Sequence, residues 1–376
     1  MTTGFKIGGI DFDDKYIRKS IFDQGNHYNW GLNNFGQLGD SSITHRSSPV
    51  QTVAGGINWK QTATSWYSTF GIKTDGRLWS WGYNTEGQLG DSTIVRKSSP
   101  VPVGSLQDWK TVSAGAYHVV ASKIDGTIWS WGWNGEGHLG HGDLVNRSSP
   151  TIIGANTDWK IISAAYYHNI AIRNDGTMWG WGNNYIGECG TNTNTNRYSS
   201  PVIIGALTDW KDVACGGYFT IALKTDGTIW SYGRNNHGQL GVGDSVNRSS
   251  PTIIGANTDW KKVSAGGFNG LAIKTNGTLW VWGRNANGQV GDNSTTPKSS
   301  PVQTISGGTN WKLVAGADYS VFGLKTDGTL WSWGQGTAGR TGQGDIVHRS
   351  SPTQIGAADD WIAITIGGGG ATRLVE

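Results

Sequence analysis

Few residues in this chain are equipped for chemistry. His138 and His141 stand three apart, a spacing at which two imidazoles can share a metal, but their stretch is glycine-rich and brings no carboxylate pair at ligand spacing. Asp40, Asp91, Asp143, Asp244, Asp292 and Asp345 each precede a basic residue, respectively Arg46, Lys97, Arg147, Arg248, Lys298 and Arg349, with Thr191 where one more Asp is due. A pair recurring this often reads as a loop brace and not as a calcium set. Cys189 and Cys215 have no CxxC spacing and read as small core residues. There is no phosphate-binding loop, zinc motif or nucleophile elbow, and the serines belong to a recurring Ser-Ser-Pro. The expectation is a protein that is not an enzyme and uses no metal or other cofactor. What remains is recognition by aromatic rings and guanidinium groups.

Those groups are positioned by a repeat. Trp59, Trp109, Trp159, Trp210, Trp260, Trp311 and Trp361 are spaced 50, 50, 51, 50, 51 and 50 residues apart, and a Ser-Ser-Pro ends on the same beat at Pro49, Pro100, Pro150, Pro201, Pro251, Pro301 and Pro352. Such a period means a repeat architecture. Each unit holds four short apolar or alternating segments; in the one from Trp210 to Pro251 they are WKDVAC, TIALK, TIWSYG and SPTII. Asp-Gly or Asn-Gly between the second and third, as at Asp75-Gly76 and Asn276-Gly277, signals a hairpin with both turn residues at positive φ.

Four-stranded units cannot each bury two faces alone, so they stack around an axis. The expected fold is all-β: a seven-bladed β-propeller of four-stranded blades over 24–376. Its last blade closes by pairing N- and C-terminal strands, because the chain ends after two strands of a unit and begins with the third, GNHYNWG. Residues 1–23 form a leader that docks the ring. Tryptophans two apart, such as Trp79 and Trp81, share a sheet face, and burying each gains about 4 to 6 kcal/mol before entropy.

Composition narrows the partner. Glycine is 59 of 376 residues and falls on the repeat beat, so it is turn punctuation. A net charge of +3 without basic runs argues against nucleic acid. No stretch is long enough for a membrane span, and the opening residues lack a signal-peptide core.

The string AG-x-Y-H…DGTIWSWG-x-N-x-x-G-x-LG, at Ala114 to Gly140, resembles the regulator of chromosome condensation family of seven-bladed propellers, over about 24–376. That family includes an exchange factor for a small GTPase, a secreted inhibitor of β-lactamases and many bacterial and phage propellers. The exchange factor carries a wedge-like insertion for which the steady spacing leaves no room, so its activity is not carried over. The wording GTLWSWG-x-N-x-x-GQLGD resembles the bacterial and phage branch, and the opening FKIGGIDFDDKYI is similar to the start of phage tail or virion proteins.

Function is sought where the repeats differ. Strand parity puts the loops between strands one and two and between three and four on one face. There the residue before a recurrent aromatic reads Trp66, Ala116, Tyr166, Gly217, Gly267, Asp318 and Gly368; the residue after it reads Ser68, His118, His168, Phe219, Asn269, Ser320 and Gly370. The recurrent aromatics themselves, Tyr67 to Tyr319, are taken as packing. Of 21 Trp only Trp66 and Trp133 leave the repeat positions, and exposed Trp anchors partners. The expected partner face is an aromatic arc of Trp66, Tyr83, His118, Trp133, Tyr166, His168 and Tyr185, followed by Phe219, Arg234 and Arg284. The leading expectation is a phage virion component, such as a tail fibre, tail tip or capsid decoration, made in the host cytoplasm and binding virion proteins, a host surface protein or a glycan. The alternative is a cytoplasmic interaction module that regulates or inhibits a cellular enzyme or GTPase.

Overall fold

The computed structural model describes residues 26–53, 58–306, 308–367 and 370–375, so the leader at 1–23 lies outside the described residues. One blade shows the construction. Its strands Trp59–Thr64, Ser68–Lys73, Leu78–Gly82 and Lys97–Pro102 pair in chain order, each antiparallel to the last, from the axis outward. The Asp-Gly hairpin differs from expectation: Gly76 takes φ 79°, but Asp75 is not among the residues at positive φ. Lys73 and Arg77 close a three-residue loop, through Lys73 N–H to Arg77 O at 2.9 Å and Gly76 N–H to Lys73 O at 3.0 Å. A loop of this length needs only its last residue left-handed.

Five more continuous blades follow at 109–152, 159–203, 210–253, 260–303 and 311–354. The expectation of seven blades is corrected here. The chain builds six self-contained blades, and the ring is completed by a composite sheet ordered Arg46–Gln51, Asn26–Gly31, Gly370–Val375, Trp361–Gly367. Its central pairing joins the two ends of the chain, in register from Asn26 with Val375 to Gly31 with Gly370. Successive innermost strands touch all the way round, 361–367 meeting 59–64.

The third-strand tryptophans tie each blade to the one before. The buried Trp81 donates Nε1–H to Gln37 O at 2.9 Å, Trp131 to Gln88 O at 2.9 Å, Trp181 to His138 O at 2.9 Å, Trp282 to Gln239 O at 2.9 Å, Trp333 to Gln289 O at 2.8 Å, and Trp30 to Arg340 O at 3.2 Å. At the remaining junction Tyr232 replaces Trp, and across the junction its hydroxyl meets the Met178 sulfur at 3.9 Å in place of a backbone carbonyl. On the hairpin side a cation sits over two indoles, as Lys73 does at 4.9 Å from Trp59 and 4.7 Å from Trp79.

The loops between third and fourth strands are held by asparagine. Asn84 Oδ1 accepts Leu89 N–H at 2.8 Å while its Nδ2 donates to Thr93 O at 3.1 Å and Val95 O at 3.2 Å. The recurrent Asp–basic pairs complete the brace, with Asp40 2.7 Å from Arg46 and Asp143 2.8 Å from Arg147. No helix among the described residues is long and apolar enough to cross a membrane.

Candidate functional site

The face that carries these loops is organised in three concentric zones. At the axis, the residues before the recurrent aromatics converge on one another. The Tyr166 hydroxyl donates to Asp318 Oδ1 across the ring, and the Trp66 ring lies 4.8 Å from the Tyr166 ring, edge to face. Two intervening blades make room by having no side chain. A Cβ on Gly217 would sit 2.6 Å from Tyr166 Cε2, and one on Gly267 would sit 2.3 Å from the Tyr166 hydroxyl oxygen. Trp66, Tyr166 and Asp318 thus line a small vestibule of about 90 Å³ at the mouth of an axial cavity of about 250 Å³, itself walled by innermost-strand residues such as Gln61, Ser113 and Ser264. Burial, and then the carboxylate of Asp318, push the Tyr166 hydroxyl well above its usual range. Burial raises Asp318 to about 6, opposed by the Tyr166 hydrogen bond and the charge of Arg340.

The second zone is a wall of half-buried rings. Phe35 lies 5.0 Å from Tyr67 and 4.9 Å from Tyr83; Tyr83 is 6.1 Å from Tyr117; Trp133 is 6.5 Å from Tyr117 and 5.7 Å from Tyr167; Tyr167 is 5.7 Å from Tyr218. From there guanidinium groups alternate with the rings. Arg234 is 5.4 Å from the Tyr218 ring, Arg284 is 5.3 Å from Phe268 and 5.1 Å from Tyr319, and Arg340 is 5.8 Å from Tyr319. One side of the face is therefore an aromatic crescent and the other a basic one.

The third zone is the outer tips of the loops between third and fourth strands. Ile43, Ile94, Val95, Val145, Val246, Ile346 and Val347 are all more than half exposed there. Their backbones are held in place, as where Val145 N–H donates to Asp143 Oδ1 at 3.1 Å.

Seven of the ten expected face residues lie on it. Tyr83, Trp133, Arg234 and Arg284 are in the ring wall, Trp66 and Tyr166 are at the axis, and Tyr185 is 49% exposed. Three are corrected: His118, His168 and Phe219 are each 0% exposed. Each begins a second strand, and its side chain turns into the seam with the neighbouring blade. His118 Nε2–H donates to Asn169 Oδ1 at 2.8 Å, His168 Nε2 shares a hydrogen bond with Thr220 Oγ1 at 3.1 Å, and Phe219 joins an apolar cluster with Ile221 and Trp282. Trp66 is also tied into the structure more closely than expected, since it packs on Tyr117, Tyr166 and Tyr167.

The recurrent aromatics, read as packing, do pack on neighbouring rings and guanidinium groups, and in doing so they also form the half-buried wall of the face. Phe35, Asp318 and Arg340 were not picked out. The signal for Asp318 was in the variable column itself, where large residues alternate with glycine as if sharing one space. His138 and His141 do not come together as a pair. His138 stacks 4.9 Å from His118 and 4.7 Å from Trp133, whereas His141 Nε2 is 3.0 Å from Ser130 Oγ.

A model of the regulator of chromosome condensation (RCC1) repeat matches residues 75–122, 125–172, 175–223, 226–273, 276–324 and 327–371, and a second model of the repeat matches five segments between 59 and 289. The mitochondrial RCC1 domain-containing protein RUG3 of Arabidopsis thaliana is 26% identical over 175 residues, 46% of this chain and 28% of that protein. The ultraviolet-B receptor UVR8 of the same plant is 31% identical over 85 residues, 22% of this chain and 19% of that protein. The matched segments thus span less than a third of either relative. Among solved structures, yeast RCC1 (Prp20) bound to Kap60 superposes with a TM-score of 0.85 at 19% identity, covering 97% of this chain and 91% of that one. Human WBSCR16 superposes with a TM-score of 0.83 at 18% identity, covering 94% and 99%. These likenesses establish the fold, and the six matched repeats establish more: the chain belongs to the RCC1 repeat family.

Proposed function

We propose that this propeller is a non-enzymatic interaction module that binds a protein partner through its aromatic face and regulates that partner. The observation that carries this reading is the crescent from Phe35 to Tyr218, in which partly exposed rings from successive sheets stand side by side. Trp and Tyr supply large contact area at low entropic cost and are enriched where proteins meet. Protein binding by this fold is also named for a structural neighbour: the yeast propeller Prp20p, 20% identical, has been studied for its binding to Gsp1p and histones. The virion expectation has no comparable support, since the relatives named here are plant, yeast and human proteins.

The test is capture from a lysate of the source cell by the full chain and by the double variant Tyr83→Ala with Trp133→Ala. A partner held by the crescent is retained by the first and lost by the second, while both melt as single folded species. A capture profile unchanged by the two substitutions would remove the crescent from recognition.

A further inference from the structure

The basic half of the face points to the chemistry of the partner. Arg234 and Arg284 occupy the same place in consecutive blades, directly after the glycine that ends the third strand. Each lies against aromatic rings, Arg234 on Tyr218 and Arg284 between Phe268 and Tyr319. Neither forms an ion pair within 4.0 Å or a side-chain hydrogen bond among the described residues, although the charge of Arg234 reaches the buried Glu188 and opposes the rise that burial imposes on its carboxyl. Four other arginines on this face are already matched, Arg147 to Asp143, Arg197 to Glu136, Arg248 to Asp244 and Arg349 to Asp345, while the exposed Arg96 lies over no aromatic ring among the described residues. Arg340 donates Nη1–H to Gln335 Oε1 at 2.9 Å and feels the charge of Asp318. His237 is close enough to feel the charge of both arginines, and its ring is 5.7 Å from Phe268. Burial and the charges of Arg284 and Arg234 hold it below its usual range, so it adds a neutral donor or acceptor at pH 7.

Stacking fixes a guanidinium plane and leaves its N–H fork free to face outward. A fork so held is built to receive a carboxylate through two parallel hydrogen bonds. We infer that Arg234 and Arg284 form a paired carboxylate receptor, and that the partner docks an acidic peptide segment there while its apolar side chains lie on the crescent from Trp133 to Tyr218. Phosphate shares the fork geometry, but a polyphosphate backbone needs a run of cations, and this chain carries a net charge of only +3. An acidic protein segment also uses the adjoining aromatic wall.

The inference rests on the interaction reading above and is tested so that the two can fail separately. A displayed library of random dodecapeptides is selected against the full chain, and the enriched peptides are measured by fluorescence anisotropy. The expected pool is rich in Asp and Glu beside aromatic or aliphatic residues. Arg234→Gln with Arg284→Gln weakens its members about tenfold or more, and Arg234→Glu with Arg284→Glu redirects selection to Lys- and Arg-containing peptides. The melting midpoint of each variant, unchanged within a few degrees, shows that the ring is intact, and Arg234→Lys, which keeps charge but loses the planar fork, gives an intermediate loss. Peptides that depend on Trp133 and Tyr83 but ignore both arginines would overturn the carboxylate receptor and leave the interaction face standing. A pool in which nothing binds the face would overturn both. Tighter arginine-dependent binding of oligothymidylate or inorganic phosphate than of the acidic peptides would overturn the choice of carboxylate.

Discussion

The Tyr166 hydroxyl donates to the Asp318 carboxylate from the far side of the ring, a hydrogen bond between residues 152 apart in sequence. No blade-to-blade contact has to carry that link, because Gly217 and Gly267 let the phenol ring pass over the blades between them.

Removing the donor exposes what the bond does. Tyr166→Phe keeps the ring and leaves a buried carboxylate short of its partner, so a loss of about 1 to 3 kcal/mol is expected in denaturant unfolding. Gly267→Ala places a methyl 2.3 Å from the Tyr166 oxygen and 2.8 Å from Asp318 Oδ1, and so breaks the same contact from another direction. The two changes together are expected to cost clearly less than their sum. Full additivity would show that they act on separate contacts.

Asp318 also sets a pH dependence. Its carboxyl titrates near 6 in the folded chain against about 3.9 when unfolded. The folded state therefore holds a proton that the unfolded state has lost between those values, and this site's contribution to stability rises as pH falls from about 7 to about 4. Relative to Asp318→Asn, the native chain should gain up to about 3 kcal/mol over that window. A constant difference between the two would place Asp318 in solvent.

Buried histidines work in the opposite sense. Burial lowers His27 and His168 to about 3 and His118 to about 4. Each is neutral in the folded state while the unfolded chain takes up a proton below about 6.5, so stability falls as pH drops from about 6.5 toward 4. The loss is about 2 kcal/mol per histidine at pH 5. His168→Gln should flatten the pH profile by that amount, whatever it does to stability at pH 8. An unchanged profile would mean that His168 charges freely in the fold.

Ring closure depends on one C-terminal strand. Gly370–Val375 lies between Asn26–Gly31 and Trp361–Gly367, so ending the chain at Gly367 separates the two ends. Such a chain is expected to lose the cooperative transition seen by circular dichroism for the full one. A melting midpoint within a few degrees of the full chain would show that the composite sheet adds little.

The period of about fifty residues and the four strands per unit were legible because each is a local pattern repeated many times, and the pairing of the two ends because each end carries the half of a unit that the other lacks. The hairpin geometry was less so: Asp75-Gly76 fits two turn types, and the neighbouring residues decide between them. His118 and His168 were misplaced because sequence distance from the recurrent tyrosine does not show which way a side chain turns; one residue further along the strand points into the seam. Trp66 and Tyr166 were assigned to the correct face, but their mutual contact was hidden. It depends on three blades meeting at an axis, and no single repeat contains it.

The Tyr232 junction has a consequence for how the molecule comes apart. Every other junction is latched by an indole N–H reaching a backbone carbonyl; this one has a phenol beside a thioether. Tyr218 and Arg234 belong to the blade just past that junction, so the least fastened line in the ring crosses the aromatic crescent between Tyr167 and Tyr218, one blade edge away from where the basic crescent begins. A partner that straddles both crescents would act as a staple across this line, and its release would leave amide exchange quickest there.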